Sequence, residues 1–131
     1  MNILRRWRWC VLAVCIVTWT SAFVATHIPA GKVPDTGMQD TSLHLVGFLG
    51  LAGVFWFALA AYGNATRRRI LIVIVTMMIY GALDEYTQAY FHRDTSASDW
   101  LMDVLGTLCA VALLEAISRL TGWWRPAPRG R

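Results

Sequence analysis

The residues able to do chemistry are concentrated in one stretch, residues 80–106, YGALDEYTQAYFHRDTSASDWLMDVLG. It holds five of the chain's eight acidic residues, Asp84, Glu85, Asp94, Asp99 and Asp103. Upstream, Asp40 and His44 stand four apart, on one face of a helix. Tyr80, Asp84 and Gln88 share a second face, with Glu85 three residues before Gln88. Asp99, Asp103 and Gly106 share a third. Carboxylates beside a histidine can move protons: Glu85 or Asp84 as acid or base, and His44 as a base oriented by Asp40. The structural alternative makes Asp40 a helix cap that satisfies His44. Arg93 either pairs with Asp94 or Asp99 or clamps a phosphate or carboxylate. Ser96 and Ser98 read as helix caps rather than nucleophiles. A metal held by His44, Asp40 and Glu85 is the less favoured reading, because no ligand spacing demands one. No cofactor is expected.

These groups sit in a chain with little else that is polar. At 131 residues there is room for a single domain. The hydrophobic share is 56%, more than the core of a soluble domain needs, and charged residues are only 15%. Seven Trp suit interfacial anchoring, since indole is amphipathic. Cys10, Cys15 and Cys109 are odd in number, lack a CxxC spacing and lie in apolar surroundings, so neither a disulfide framework nor a zinc site is expected.

Four apolar runs, at about 10–26, 43–62, 70–86 and 100–120, predict an all-α integral membrane bundle of four transmembrane helices with both termini cytoplasmic. The first run follows a basic head and also fits a cleavable signal peptide. Trp19 and the apolar residues 23–25 favour its retention as a helix. Residues 26–42 form a loop broken by Pro29, Gly31, Pro34 and Gly37. In the second run Gly47, Gly50 and Gly53 form a smooth stripe suited to close helix approach. Residues 63–69 read as a tight turn carrying Arg67, Arg68 and Arg69. The β-branched run ILIVIV that follows would suit a strand, but the apolar character continues to Leu83 and a helix is preferred. Glu115 is expected to pair with Arg119, four residues on. Trp123, Trp124 and Arg125 anchor the last run, and the tail PAPRGR is too rich in Pro and Gly to fold.

With the amino terminus in the cytoplasm, ten of the twelve basic residues fall on the inner side, leaving Lys32 and Arg93 outside. Arginines beside spanning helices meet anionic headgroups. That placement accounts for the pI near 9.3 without nucleic acid, which is not expected as a partner. Seven of the eight acids lie toward the outer face. Asp84 lies about 21 Å along its helix from Ile70, inside a hydrocarbon core of about 30 Å. A carboxylate at such depth is a functional candidate and must find partners.

The order Asp40-x-x-x-His44, Glu85-x-x-Gln88, Arg93-x-x-Ser96-x-x-Asp99-x-x-x-Asp103-x-x-Gly106 resembles the VanZ-like family of small bacterial membrane proteins. His27-Ile28-Pro29 adds to the likeness, which spans residues 27–106. Thr41 stands where the family often has Lys, and Asp103 where it often has Asn. The resemblance implies a bacterial inner-membrane protein associated with glycopeptide (teicoplanin) resistance. The outer-face cluster, with Asp40, Gln88, Arg93, Asp99 and Asp103 in binding roles, is expected to take the head of a membrane lipid or lipid-linked envelope precursor, which would account for the family's glycopeptide phenotype. An enzyme acting on such a substrate and a proton-coupled transporter subunit are the alternative classes. The topology is open to direct test. Reporters active only in the cytoplasm, fused after Tyr62 and after Gly122, should both be active; silence at either junction would refute the arrangement.

Overall fold

The computed structural model describes residues 6–29, 32 and 37–122. Arg5, Gly31, Pro34, Asp35, Trp123, Trp124, Arg125 and the PAPRGR tail lie outside them. The described residues form four long helices: α1 (Arg8–Thr26), α2 (Asp40–Ala61), α3 (Thr66–Gln88) and α4 (Ala97–Thr121). All four are long and apolar enough to cross a membrane. Large apolar side chains face the bundle exterior on every helix, among them Val17, Leu49, Ile79 and Leu113. In lipid such a surface costs nothing, whereas in water it would drive aggregation.

Each apolar run falls within a helix, and each of the last three helices extends into polar residues on at least one side. The β-branched run is helical, because a strand in hydrocarbon would leave its backbone unpaired. α3 begins at Thr66, so Arg67, Arg68 and Arg69 form its first turn instead of a loop. Beyond α3 one turn of 3₁₀ helix (Ala89–Phe91) leads to His92, whose φ of 58° reverses the chain. Ser96 caps the start of α4, its hydroxyl accepting from the Ser98 backbone N–H at 3.2 Å. Gly122, also left-handed at φ 62°, ends it.

Consecutive helices run antiparallel, so α2 and α4 run in the same direction, His44 meeting Asp103 near their starts and Trp56 meeting Glu115 near their ends. α2 and α4 form the most extensive interface, and α3 packs on both. α1 leans on α2, touches α3 slightly and has no contact with α4. Phe48, Leu51, Ala52, Trp56, Val73, Met77, Ala110 and Val111 fill the centre. Trp19 of α1 reaches this core, its ring 5.4 Å from Phe55 and 4.9 Å from Tyr80.

The glycines used for close packing are not the stripe expected from sequence. A Cβ at Gly47 or Gly50 would meet nothing within 4 Å, and one at Gly53 only the tip of Leu114. The tight contact is at Gly106, where a Cβ would overlap the Leu45 carbonyl oxygen and come 3.0 Å from the Leu49 nitrogen. Neither backbone atom can yield without moving α2. Gly106→Ala should therefore destabilise the bundle by about 1–3 kcal/mol or more. Gly47→Ala should be neutral or stabilise by up to about 1 kcal/mol through helix propensity. Unfolding of both variants in detergent micelles checks the contrast, and equal effects would refute the assigned contact.

Candidate functional site

Every buried acid lies on a helix face that also carries apolar core residues. On α3 the buried positions are Arg69, Val73, Met77, Gly81, Asp84, Glu85 and Gln88, three or four residues apart except for the adjacent Asp84 and Glu85. On α4 they include Asp99, Asp103, Thr107 and Glu115, and on α2 they begin at His44. The helical period that builds the core thus carries polar groups inward at both ends of the bundle.

At one end, three helices meet around His44. Its Nδ1 lies 2.9 Å from Asp103 Oδ1 and 3.7 Å from Glu85 Oε1. The other Glu85 oxygen accepts the Ser96 backbone N–H at 2.9 Å, which ties α3 to the start of α4. Glu85, Asp99 and Asp103 are all buried, and each keeps one oxygen that accepts no hydrogen bond among the described residues. Gly81 makes room for this group: a Cβ there would lie 2.8 Å from Asp103 Oδ2.

Several expected pairings are replaced by others. Asp40 neither caps α2 with a side-chain hydrogen bond nor holds His44. Arg93 Nη2 donates to both Asp40 oxygens, at 3.0 and 2.9 Å. Arg93 therefore closes over Asp40, not over Asp94 or Asp99, and His44 is oriented by Asp103. Both replacements are contacts between helices or from loop to helix, which spacing along one helix does not reveal. Gln88 donates to Asp84 Oδ2 at 2.8 Å, on the shared i, i+4 face, while the nearer Glu85 points away toward α2 and α4.

Asp84 belongs to a separate shell turned toward α1. Its Oδ1 accepts from the Thr26 hydroxyl at 2.9 Å, so both oxygens have neutral donors. His27 stands beside it, Nδ1 donating to Phe23 O at 2.7 Å and Nε2 lying 2.9 Å from Thr87 Oγ1. A carbonyl only accepts, so Nδ1 carries the proton. Cleavage of the first segment would remove Thr26 and His27 or strip them of their helix.

Two crevices reach this end of the bundle. One, of about 330 Å³, lies between α1 and α2; Ala22, Leu43, Gly47, Phe48 and Leu51 wall it, and Asp40, His44 and Arg93 stand on its rim. The other is a wider opening of about 640 Å³ between α3 and α4, lined by Glu85, Tyr86, Tyr90, Ser96 and Trp100.

The opposite end holds a polar cluster that sequence reasoning misses. Arg69 is fully buried and donates through Nε and Nη2 to Glu115 Oε1, at 3.1 and 2.7 Å. Trp56 Nε1 donates to the same oxygen at 2.9 Å, and the Arg69 guanidinium stacks 4.2 Å from the Trp56 ring. Arg119, the expected partner of Glu115, is exposed. The available signal was the four-residue step from Arg69 to Val73 and Met77, which separates Arg69 from exposed Arg67 and Arg68.

Comparison of the chain with protein-family models, curated proteins and solved structures finds no match. The two polar ends differ in kind. Arg69 and Glu115 neutralise each other, so this pair is structural. Arg69→Met should cost about 3–5 kcal/mol by leaving a buried carboxylate without its cation. Adding Glu115→Leu should restore much of that loss. Unfolding of the single and double variants in micelles reads the difference, and additive losses would refute the pairing.

Proposed function

We propose that this is a multi-pass protein of the bacterial inner membrane whose His44 end faces outward and binds the polar head of a lipid or lipid-linked envelope precursor. The observation that carries this reading is the crevice between α1 and α2, apolar along its walls and polar at its rim. An acyl or prenyl chain suits walls made by Leu43, Phe48 and Leu51. A guanidinium at the rim suits a phosphate, which it can engage bidentately. Arg93 is already held there by half-exposed Asp40, so its position needs little ordering on binding. The outward orientation rests on the ten-to-two division of basic residues. The resemblance to the VanZ-like family connects such binding to the cell envelope and to teicoplanin susceptibility.

The His44–Asp103 contact supports a second reading, a membrane enzyme acting on a lipid-linked substrate. In it His44 is the acid or base and Asp103 orients it, with Glu85 as the other proton-transfer group. Asp84 is less suited, because both its oxygens are taken by Thr26 and Gln88. The transporter reading is disfavoured. Phe48, Leu51, Met77, Ala110 and Val111 form apolar core between the His44 cluster and the Arg69–Glu115 pair.

The crevice can be filled without disturbing the fold, because Gly47 has open space in front of it. Gly47→Phe should reduce co-purifying lipid several-fold by native mass spectrometry, and Arg93→Ala should remove the preference for phosphate-bearing heads. Unchanged lipid retention in both variants would end the binding proposal. Lipid profiles of cells carrying wild type or Glu85→Gln separate the two readings: a lost or new lipid species marks the enzyme, and an unchanged profile marks the binding protein.

A further inference from the structure

The buried acids around His44 lack the partners their burial requires. Glu85, Asp99 and Asp103 are 8%, 7% and 1% exposed. One oxygen on each, Glu85 Oε1, Asp99 Oδ1 and Asp103 Oδ2, accepts no hydrogen bond among the described residues. Native proteins rarely leave such groups unmet, and in an apolar bundle the penalty is greater than in water. Arg93 does not supply the missing charge, because it is engaged with Asp40. Among the described residues His44 is the basic group within ion-pair distance of Glu85 and Asp103, and one imidazole balances at most one carboxylate.

We propose that His44, Glu85 and Asp103 form a binding site for one divalent transition-metal cation, with Asp99 beside it. One ligand atom from each of the three lies within 4.8 Å of the others. Ligands held about 2 Å from a metal stand roughly 3–3.5 Å apart, so small side-chain rotations close the set. Asp40, His44 and Asp99 meet the same spacing around the shared imidazole, but both Asp40 oxygens are held by Arg93, which leaves Asp99 as the further carboxylate beside the site. An imidazole nitrogen with carboxylate oxygens suits Mn²⁺, Fe²⁺ or Zn²⁺ better than Mg²⁺ or Ca²⁺, which favour all-oxygen sets. The three ligands come from α2, α3 and α4, so the ion would lock the helix ends that also shape the rim of the crevice. It would also turn an acid-rich pocket favourable to an anionic headgroup. The site stands independently of lipid binding.

The test uses the full chain purified in detergent micelles and stripped with EDTA. Titration with Mn²⁺, followed by loss of the free-ion electron paramagnetic resonance signal, should show one saturable site per chain. Zn²⁺ should compete for it and Mg²⁺ should not. Glu85→Gln and Asp103→Asn should each weaken binding by on the order of tenfold or more. Asp94→Asn, on the exposed loop, should leave it unchanged. The wild-type chain should also melt at higher temperature with Mn²⁺ than with EDTA, a readout that needs no variant. Absence of saturable Mn²⁺ and Zn²⁺ binding to the wild type would overturn the site. So would binding that persists unchanged in both Glu85→Gln and Asp103→Asn.

Discussion

The contact between α2 and α4 at Gly106 is the constraint on which the rest of this end depends. With no side chain at Gly106, the α4 backbone comes against the Leu45 carbonyl and the Leu49 nitrogen. Apolar side chains gain little from leaving lipid for a helix interface, so close backbone packing is a main source of cohesion. The same contact sets the register of the polar groups. His44 adjoins Leu45, and Asp103 lies three residues before Gly106, so seating the glycine brings the imidazole and carboxylate to 2.9 Å. α3 then adds Glu85 from a third side, and its Gly81 leaves room for the Asp103 carboxylate.

The two ends of the bundle solve the same problem differently. At the Arg69 end one guanidinium meets one carboxylate, and Trp56 supplies both a hydrogen bond and a ring face. That cluster is complete within the chain. At the His44 end Asp84 is also complete, with donors from Thr26 and Gln88. Glu85, Asp99 and Asp103 are not, since each retains an oxygen unmet among the described residues, and Glu85 and Asp103 share one imidazole. If these acids served only to tie helices together, burial would favour replacing them with apolar residues of similar size. Retained binding capacity in a buried setting is what distinguishes a site from a tie.

Run length and hydropathy made the four helices legible, because lipid penalises every alternative for a long apolar segment. The bundle end where the buried acids cluster was legible for the same reason: Asp84, Glu85, Asp99 and Asp103 stand out against apolar neighbours. The pairings were not. Spacing along one helix identifies neighbours such as Asp84 and Gln88, which do bond. It cannot rank Asp40 against Asp103 as the partner of His44, since that depends on how α2 and α4 dock. The glycine pattern misled for a related reason. Gly47, Gly50 and Gly53 look like a packing stripe, yet among the described residues the glycine seated against a neighbouring backbone is Gly106. Arg69 was hidden among three arginines, although its helical phase with Val73 and Met77 sets it apart.

Position relative to the two crevices assigns the clustered residues unequal roles. His44 lines the crevice between α1 and α2, whereas Asp99 and Asp103 do not. Glu85 lines the opening between α3 and α4. The imidazole and the Glu85 carboxylate therefore stand between the buried acids and anything arriving from lipid or from the surface. Asp103 lines neither crevice and lies behind His44, 2.9 Å from its imidazole. Loss of Asp103 would remove both the partner of His44 and a ligand of the proposed ion, while loss of His44 or Glu85 would also remove a group that lines a crevice. The lighter seating of α1 fits this division. It closes one crevice and supplies Thr26 to Asp84, yet contributes no group within hydrogen-bond range of His44 among the described residues.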